Sequence, residues 1–119
     1  MAFRYPRSAR LTRSPEFRRV REEGASYPGR HVLLGVLRGA EEGPPRFGIV
    51  AGRKVGGAVE RNRARRRLRE IIRTHRALLV PGCWVVTVLR RGAAEADTQS
   101  LRREWLRLAG RALILKNSP

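Results

Sequence analysis

The side chains best suited to chemistry crowd between positions 61 and 76, where eight arginines share the stretch with one acid, Glu70. A guanidinium is a planar fork of donors that fits phosphate oxygens and stacks on bases. On a helix, at 100° per residue, Ala64, Leu68, Ile71, Ile72, His75 and Leu78 fall on one side and face the core. Asn62, Arg66, Arg69 and Arg73 fall roughly opposite and form one exposed stripe, bordered by Arg63 on one side and Arg65 on the other. A single carboxylate neutralises at most one or two of these arginines, so a solvated face laced by ion pairs lacks its anions. Phosphates would supply them, and the stretch reads as a ridge facing RNA.

Other candidates carry weaker signals. Phe17 is either a stacking platform for an unpaired base or plain core packing. Arg53 and Lys54 precede Gly56-Gly57, whose backbone amides could help hold a phosphate; a flexible basic turn explains them equally well. His31 and His75 are the only histidines and the only conceivable acid–base pair for RNA cleavage. His75, however, sits on the apolar side of its helix, and His31 opens a strand with no evident orienting partner. A two-metal nuclease needs convergent carboxylates, whereas the ten acids here are scattered along the chain. Binding is indicated and catalysis is not.

The composition agrees. The 119 residues suit one domain, 1–119, and 41% hydrophobic residues suffice for a core. A net charge of +17 makes nucleic acid the default partner. Of 27 basic residues only Lys54 and Lys116 are lysines. One cysteine, Cys83, excludes an intrachain disulfide and a Cys-based zinc cage. No apolar run is long enough for a membrane helix, so no membrane partner is expected. No secretory signal is evident, which makes the cytoplasm the expected compartment. Residues 1–13 are acid-free and basic, and read as a flexible RNA-facing arm.

The elements that must position these residues follow from local signals. Ser14-Pro15-Glu16 predicts the start of a short helix that Gly24 ends. Residues 30–38 and 46–52 predict an antiparallel pair of strands joined by a loose loop. The long helix runs from about Ala58 to Leu79, where Pro81-Gly82 stops it. Residues 83–90 read as a buried strand. Asp97 or Thr98 caps a last helix carrying Leu101, Trp105, Leu108 and Ala112. The predicted class is α+β, helices packed on a small, mainly antiparallel sheet.

The run from Phe47 through Gly52-Arg53-Lys54 and Gly56-Gly57-Ala58-Val59-Glu60-Arg61-Asn62-Arg63 to Arg66 resembles the signature of the bacterial ribonuclease P protein subunit. Arg10-Leu11, Ser14, Phe17, Val20, Gly24 and Ser26 match upstream, as do the late strand and closing helix, so the resemblance covers nearly the whole chain. It implies an α/β sandwich like the second domain of ribosomal protein S5, with a left-handed β–α–β crossover and one more short strand than the sequence locates. It also implies a catalytic RNA, with Mg²⁺ bound mainly by that RNA, that removes the 5′ leader of precursor tRNA. The protein would be an accessory subunit, with no obligatory protein partner. Arg61, Asn62, Arg63, Arg65, Arg66, Arg69 and Arg73 would face the catalytic RNA. Phe17, Arg21, Arg53 and Lys54 would lie near the leader.

The pattern is not matched everywhere. Arg21 stands where many members carry a second aromatic, Gly35 replaces a common strand aromatic, and Gly52 and Gly57 replace a frequent Ser and Asn. Leader binding is therefore expected to lean on charge more than on stacking. The alternative is a structural RNA-binding protein of ribosomal type, which composition alone does not distinguish. A DNA-binding module lacks a recognition helix in a helix-turn-helix pair.

Overall fold

The computed structural model describes residues 7–116. Four strands form one sheet: β1 (Ala25–Pro28), β2 (Val32–Leu37), β3 (Arg46–Ala51) and β4 (Trp84–Leu89). Helix α1 (Ser14–Glu23) precedes the sheet in sequence, α2 (Ala58–His75) links β3 to β4, and α3 (Thr98–Arg111) closes the chain. The strand order is β1-β2-β4-β3.

This order corrects one expectation. β2 and β3 are not a pair; β4 lies between them, antiparallel to β2 and parallel to β3. The β4 sequence WVVTVL is apolar at nearly every position and suits a central strand covered on both faces, whereas proximity in sequence favours a hairpin. Residues 38–45 instead pass the start of β4, held by hydrogen bonds from Ala40 N to Gly82 O (2.8 Å) and from Gly82 N to Gly43 O (2.7 Å). The strand implied by the family pattern is β1, only four residues long and ending in Pro28.

The sheet separates two apolar clusters. On one face α2 and α3 cover Val32, Leu34, Val36, Phe47 and Val85. Trp105 is fully buried there, and its Nε1 donates to Thr87 Oγ1 at 3.1 Å, which satisfies both buried polar groups. On the other face α1 lays Val20 and Phe17 against Leu37, Trp84 and Val86.

The predicted helix faces largely hold. Ala64, Leu68, Ile71 and Ile72 are fully buried, as are Leu101, Trp105 and Leu108. His75 and Leu78 do not join the core: the chain tightens into a 3₁₀ turn at Arg76–Leu78, which breaks the helical phase, and Leu78 is 46% exposed. At α1 the caps shift by one residue, with Arg13 as N-cap and Glu16 accepting the backbone N–H of Thr12 and Arg13, both at 2.9 Å. Asp97 caps α3 by accepting from Ser100 N at 2.7 Å. The arm expected over 1–13 is docked from Arg7 onward: Ala9 and Leu11 are buried, and Leu11 N donates to Phe47 O at 2.7 Å. Residues 1–6 lie outside the described part.

Candidate nucleic-acid interface

Helix α2 starts where Gly57 leaves extended backbone, and Glu60 accepts the Gly57 N–H at 2.8 Å. That carboxylate caps the helix and sits at the positive end of its dipole. Only Glu70 is then left on the helix to oppose the arginines, and it is joined to Arg73 through both guanidinium and carboxylate forks. The Arg73 hydrogen bond holds the Glu70 carboxyl below its ordinary range. Arg67, outside the predicted site, turns inward and donates to the carbonyls of Ala94 (3.1 Å) and Ala96 (2.6 Å), pinning the β4–α3 loop to α2.

The remaining ridge follows the periodicity except at Arg73, expected on the exposed stripe but partly buried and paired with Glu70. Asn62, Arg66 and Arg69 are exposed, while Arg61, Arg63, Arg65 and Arg73 are partly buried. Arg65 Nη1 reaches Asn62 Oδ1 at 3.4 Å. Among the described residues, Arg61, Arg63, Arg65, Arg66 and Arg69 form no ion pair with a carboxylate. Among the described residues, the Nε of Arg61 and of Arg63 is shielded from solvent without a partner. Arg53 and Lys54 are exposed on a 3₁₀ turn between β3 and α2, anchored by buried Val55.

Helix α1 covers its face of the sheet only in part. Phe17 lies over Gly48, so close that a Cβ there would fall 2.5 Å from Phe17 Cε1. Glycine at 48 thus lets an aromatic ring sit directly on the strand. Phe17 is only half-buried, and Arg21, one turn further along α1, is exposed. The paired row Leu33–Val88–Val50 continues this face, with Val50 39% exposed. Sequence reasoning missed that row, because its three residues meet only through the non-local strand order.

The structure divides the arginines of α2. Arg65 and Arg69 line a groove of about 150 Å³ with Arg10, Thr12 and the β3 backbone at Gly48. Gly48 is shared by this groove and the Phe17 contact, whereas Arg66 is exposed and does not line the groove. Arg10 was not foreseen, since its place depends on the docking of residues 7–12 against β3.

The two histidines are far apart. His31 opens β2 at the sheet end where α2 begins, and His75 ends α2, roughly 25 Å along its axis. They cannot form an acid–base pair. His31 does have an orienting partner, contrary to expectation: its Nδ1 lies 3.0 Å from Oε1 of buried Glu104. Burial pushes the Cys83 thiol up to about 11, so it is not a nucleophile. Among the described residues no three His, Cys, Asp or Glu converge as metal ligands, and no helix is long and apolar enough to cross a membrane.

Known proteins resemble this chain in sequence and fold. A model of the family described as Ribonuclease P matches residues 5–113. The ribonuclease P protein component of Acidothermus cellulolyticus is 39% identical over 114 residues, covering 95% of each chain. That of Dehalococcoides mccartyi is 39% identical, covering 93% of this chain and 90% of the relative. The ribonuclease P protein of Staphylococcus aureus has the same fold, with a TM-score of 0.81 at 22% identity over 97% of both chains. That of Thermotoga maritima gives 0.74 at 28% identity, over 90% of this chain and 94% of its own. The chain belongs to the ribonuclease P protein family, as an RNA-binding, non-catalytic subunit that assists the processing of tRNA.

Proposed function

We propose that the outer ridge of α2 (Arg61, Asn62, Arg63, Arg66, with Arg73 at its end) lies on the catalytic RNA of ribonuclease P. In the same reading, the α1 face of the sheet receives the single-stranded 5′ leader of precursor tRNA. The observation that carries it is the set of α2 arginines that, among the described residues, have no carboxylate, together with half-buried Phe17 on Gly48. Two folded polyanions repel each other, and a compact body of charge +17 between them lowers that barrier. Phe17 offers a face to any base, while Arg21, Arg65 and Arg69 supply charge along the strand, so the leader is held without reading its sequence. Arg53 and Lys54 extend the basic surface at the start of α2.

Mg²⁺ in this reading is held by RNA phosphates in the cytoplasmic holoenzyme. The described residues offer no chelating set for it, and no metal-dependent step is assigned to the chain. The protein's part is to bind, orient and screen charge.

The test mixes the chain with a candidate catalytic RNA and precursor tRNA at low Mg²⁺. Leader release that requires both macromolecules is expected. Release that is the same without the protein, or cofractionation with ribosomal subunits and no effect on cleavage, would contradict the proposal.

A further inference from the structure

At the sheet end where α2 begins lies an open pocket of about 510 Å³ that the reading above leaves unused. Arg30, His31, Arg91, Gly92 and Glu95 line it. Its centre is a built dyad. Glu104 of α3 is buried, and its Oε2 accepts the backbone N–H of His31 (2.7 Å) and Val32 (2.8 Å). Its Oε1 meets His31 Nδ1 at 3.0 Å. The carboxylate comes so near the β1–β2 turn that a Cβ on Gly29 would lie 2.5 Å from Glu104 Oε2.

The chemistry of this dyad is directional. A carboxylate only accepts, so Nδ1 carries the proton, and in that tautomer of the imidazole Nε2 is the nitrogen left to accept. His31 and Gly92 both line the pocket, and a Cβ on Gly92 would stand 3.9 Å from His31 Cδ2, the atom next to Nε2. Arg30 and Arg91 flank it, exposed and without an ion pair among the described residues. Two cationic forks demand an anion, whereas the histidine acceptor, with the Glu95 carboxylate on the rim, demands a donor. One RNA unit carries both, a phosphate and a ribose hydroxyl. The opposite wall is fixed, because Arg67 of α2 holds the carbonyls of Ala94 and Ala96.

We propose that the Arg30–His31–Arg91 pocket binds a ribose-phosphate unit of an RNA strand, the phosphate on the two arginines and the 2′-hydroxyl donating to His31 Nε2. Glu104 is the positioning residue that sets the tautomer. The site would give the protein a means to tell RNA from DNA, which the α2 ridge, a binder of phosphates, lacks. It stands apart from the assembly with catalytic RNA and can be tested on the chain alone.

The test titrates the full chain, with ¹⁵N-labelled histidine rings, with uridine 3′-monophosphate, 2′-deoxyuridine 3′-monophosphate and inorganic phosphate. The ribonucleotide is expected to shift the His31 Nε2 signal and to bind about two- to tenfold more tightly than the deoxy form, the worth of one hydrogen bond. His31→Ala should abolish that preference. Glu104→Gln, whose amide can donate to Nδ1, should move the ring toward the other tautomer, visible in its ¹⁵N shifts, and also erase it. His31→Asn guards against a folding defect, since its side-chain amide N–H can still donate to buried Glu104. Equal affinity for ribo- and deoxyribonucleotide, or a full response to inorganic phosphate alone, would overturn the proposal. So would RNA cleavage by the isolated chain that His31→Ala removes, because the dyad would then be doing chemistry.

Discussion

The arginines on the two sides of the sheet have opposite surroundings. On the α1 side, Arg19 and Arg46 bracket the Trp84 ring, their guanidinium carbons 5.2 and 5.5 Å from its centroid. Arg46 reaches Glu16 at 2.9 Å and Glu41 at 3.4 Å and donates to Arg10 O at 2.8 Å, while Glu41 accepts from Trp84 Nε1 at 3.0 Å. Arg19 has Glu23 and the Ala40 carbonyl. On α2 only Arg73 has a carboxylate. The scarce acids of the chain thus sit where the fold needs them: Glu60 and Asp97 at helix starts, Glu104 under a turn, and Glu16 and Glu41 around Trp84. What they leave bare is the ridge proposed to face RNA. Both regions are rich in arginine, and the distribution of carboxylates tells structure from function.

Breaking the matched side should cost the fold. Trp84→Ala removes a buried ring and two cation–π contacts, and about 3–5 kcal/mol of stability should be lost in denaturant unfolding. Arg66→Ala in the same assay should stay within about 0.5 kcal/mol of the parent. Gly48→Ala forces Phe17 off the strand; an intermediate loss of about 1–3 kcal/mol is expected, together with weaker leader binding in a competition assay.

The matched side is also sensitive to acid. Partial burial pushes the Glu16 carboxyl up, but hydrogen bonds from the backbone of Arg13 and Thr12 and from Arg46 outweigh this and hold it below its ordinary value of 4.5. A carboxylate lowered on folding contributes stability that is complete above its unfolded value and lost as pH falls through its folded value. Glu16→Gln should therefore be less stable than the parent at neutral pH, and the gap should narrow below about pH 4.5 in thermal melts. The smallest effect belongs to the bare side. Glu70→Gln removes the negative charge beside Arg73, and RNA affinity should rise modestly at low salt and match the parent at high salt. An unchanged affinity at low salt would mean that Arg73 does not face RNA.

Much of this was legible from local pattern. The apolar face of α2 at positions 64, 68, 71 and 72 and the Asp97 cap are set by residues within a few positions of each other, whereas the helix ends at His75, short of the expected Leu79 and of Pro81-Gly82. The ridge followed from the same periodicity. What sequence hid was non-local. The insertion of β4 between β2 and β3 joins segments separated by the whole of α2. β1 is four residues with a terminal proline, too short to show alternation. The His31–Glu104 contact spans 73 positions. Arg65 and Arg69 look alike with Arg66 on a helical wheel, and only the docked segment at Arg10–Thr12 gives the first two a groove.

The central claim is that RNA phosphates neutralise the bare ridge of α2. The most direct measurement is the salt dependence of association with the catalytic RNA, for the parent chain and for Arg61→Ala/Arg63→Ala/Arg66→Ala. Each lost phosphate contact lowers the slope of log K against log salt by roughly 0.7–0.9, so the triple variant should lose about 2–3 units of slope while keeping its melting temperature. An unchanged slope in a folded triple variant would contradict the account.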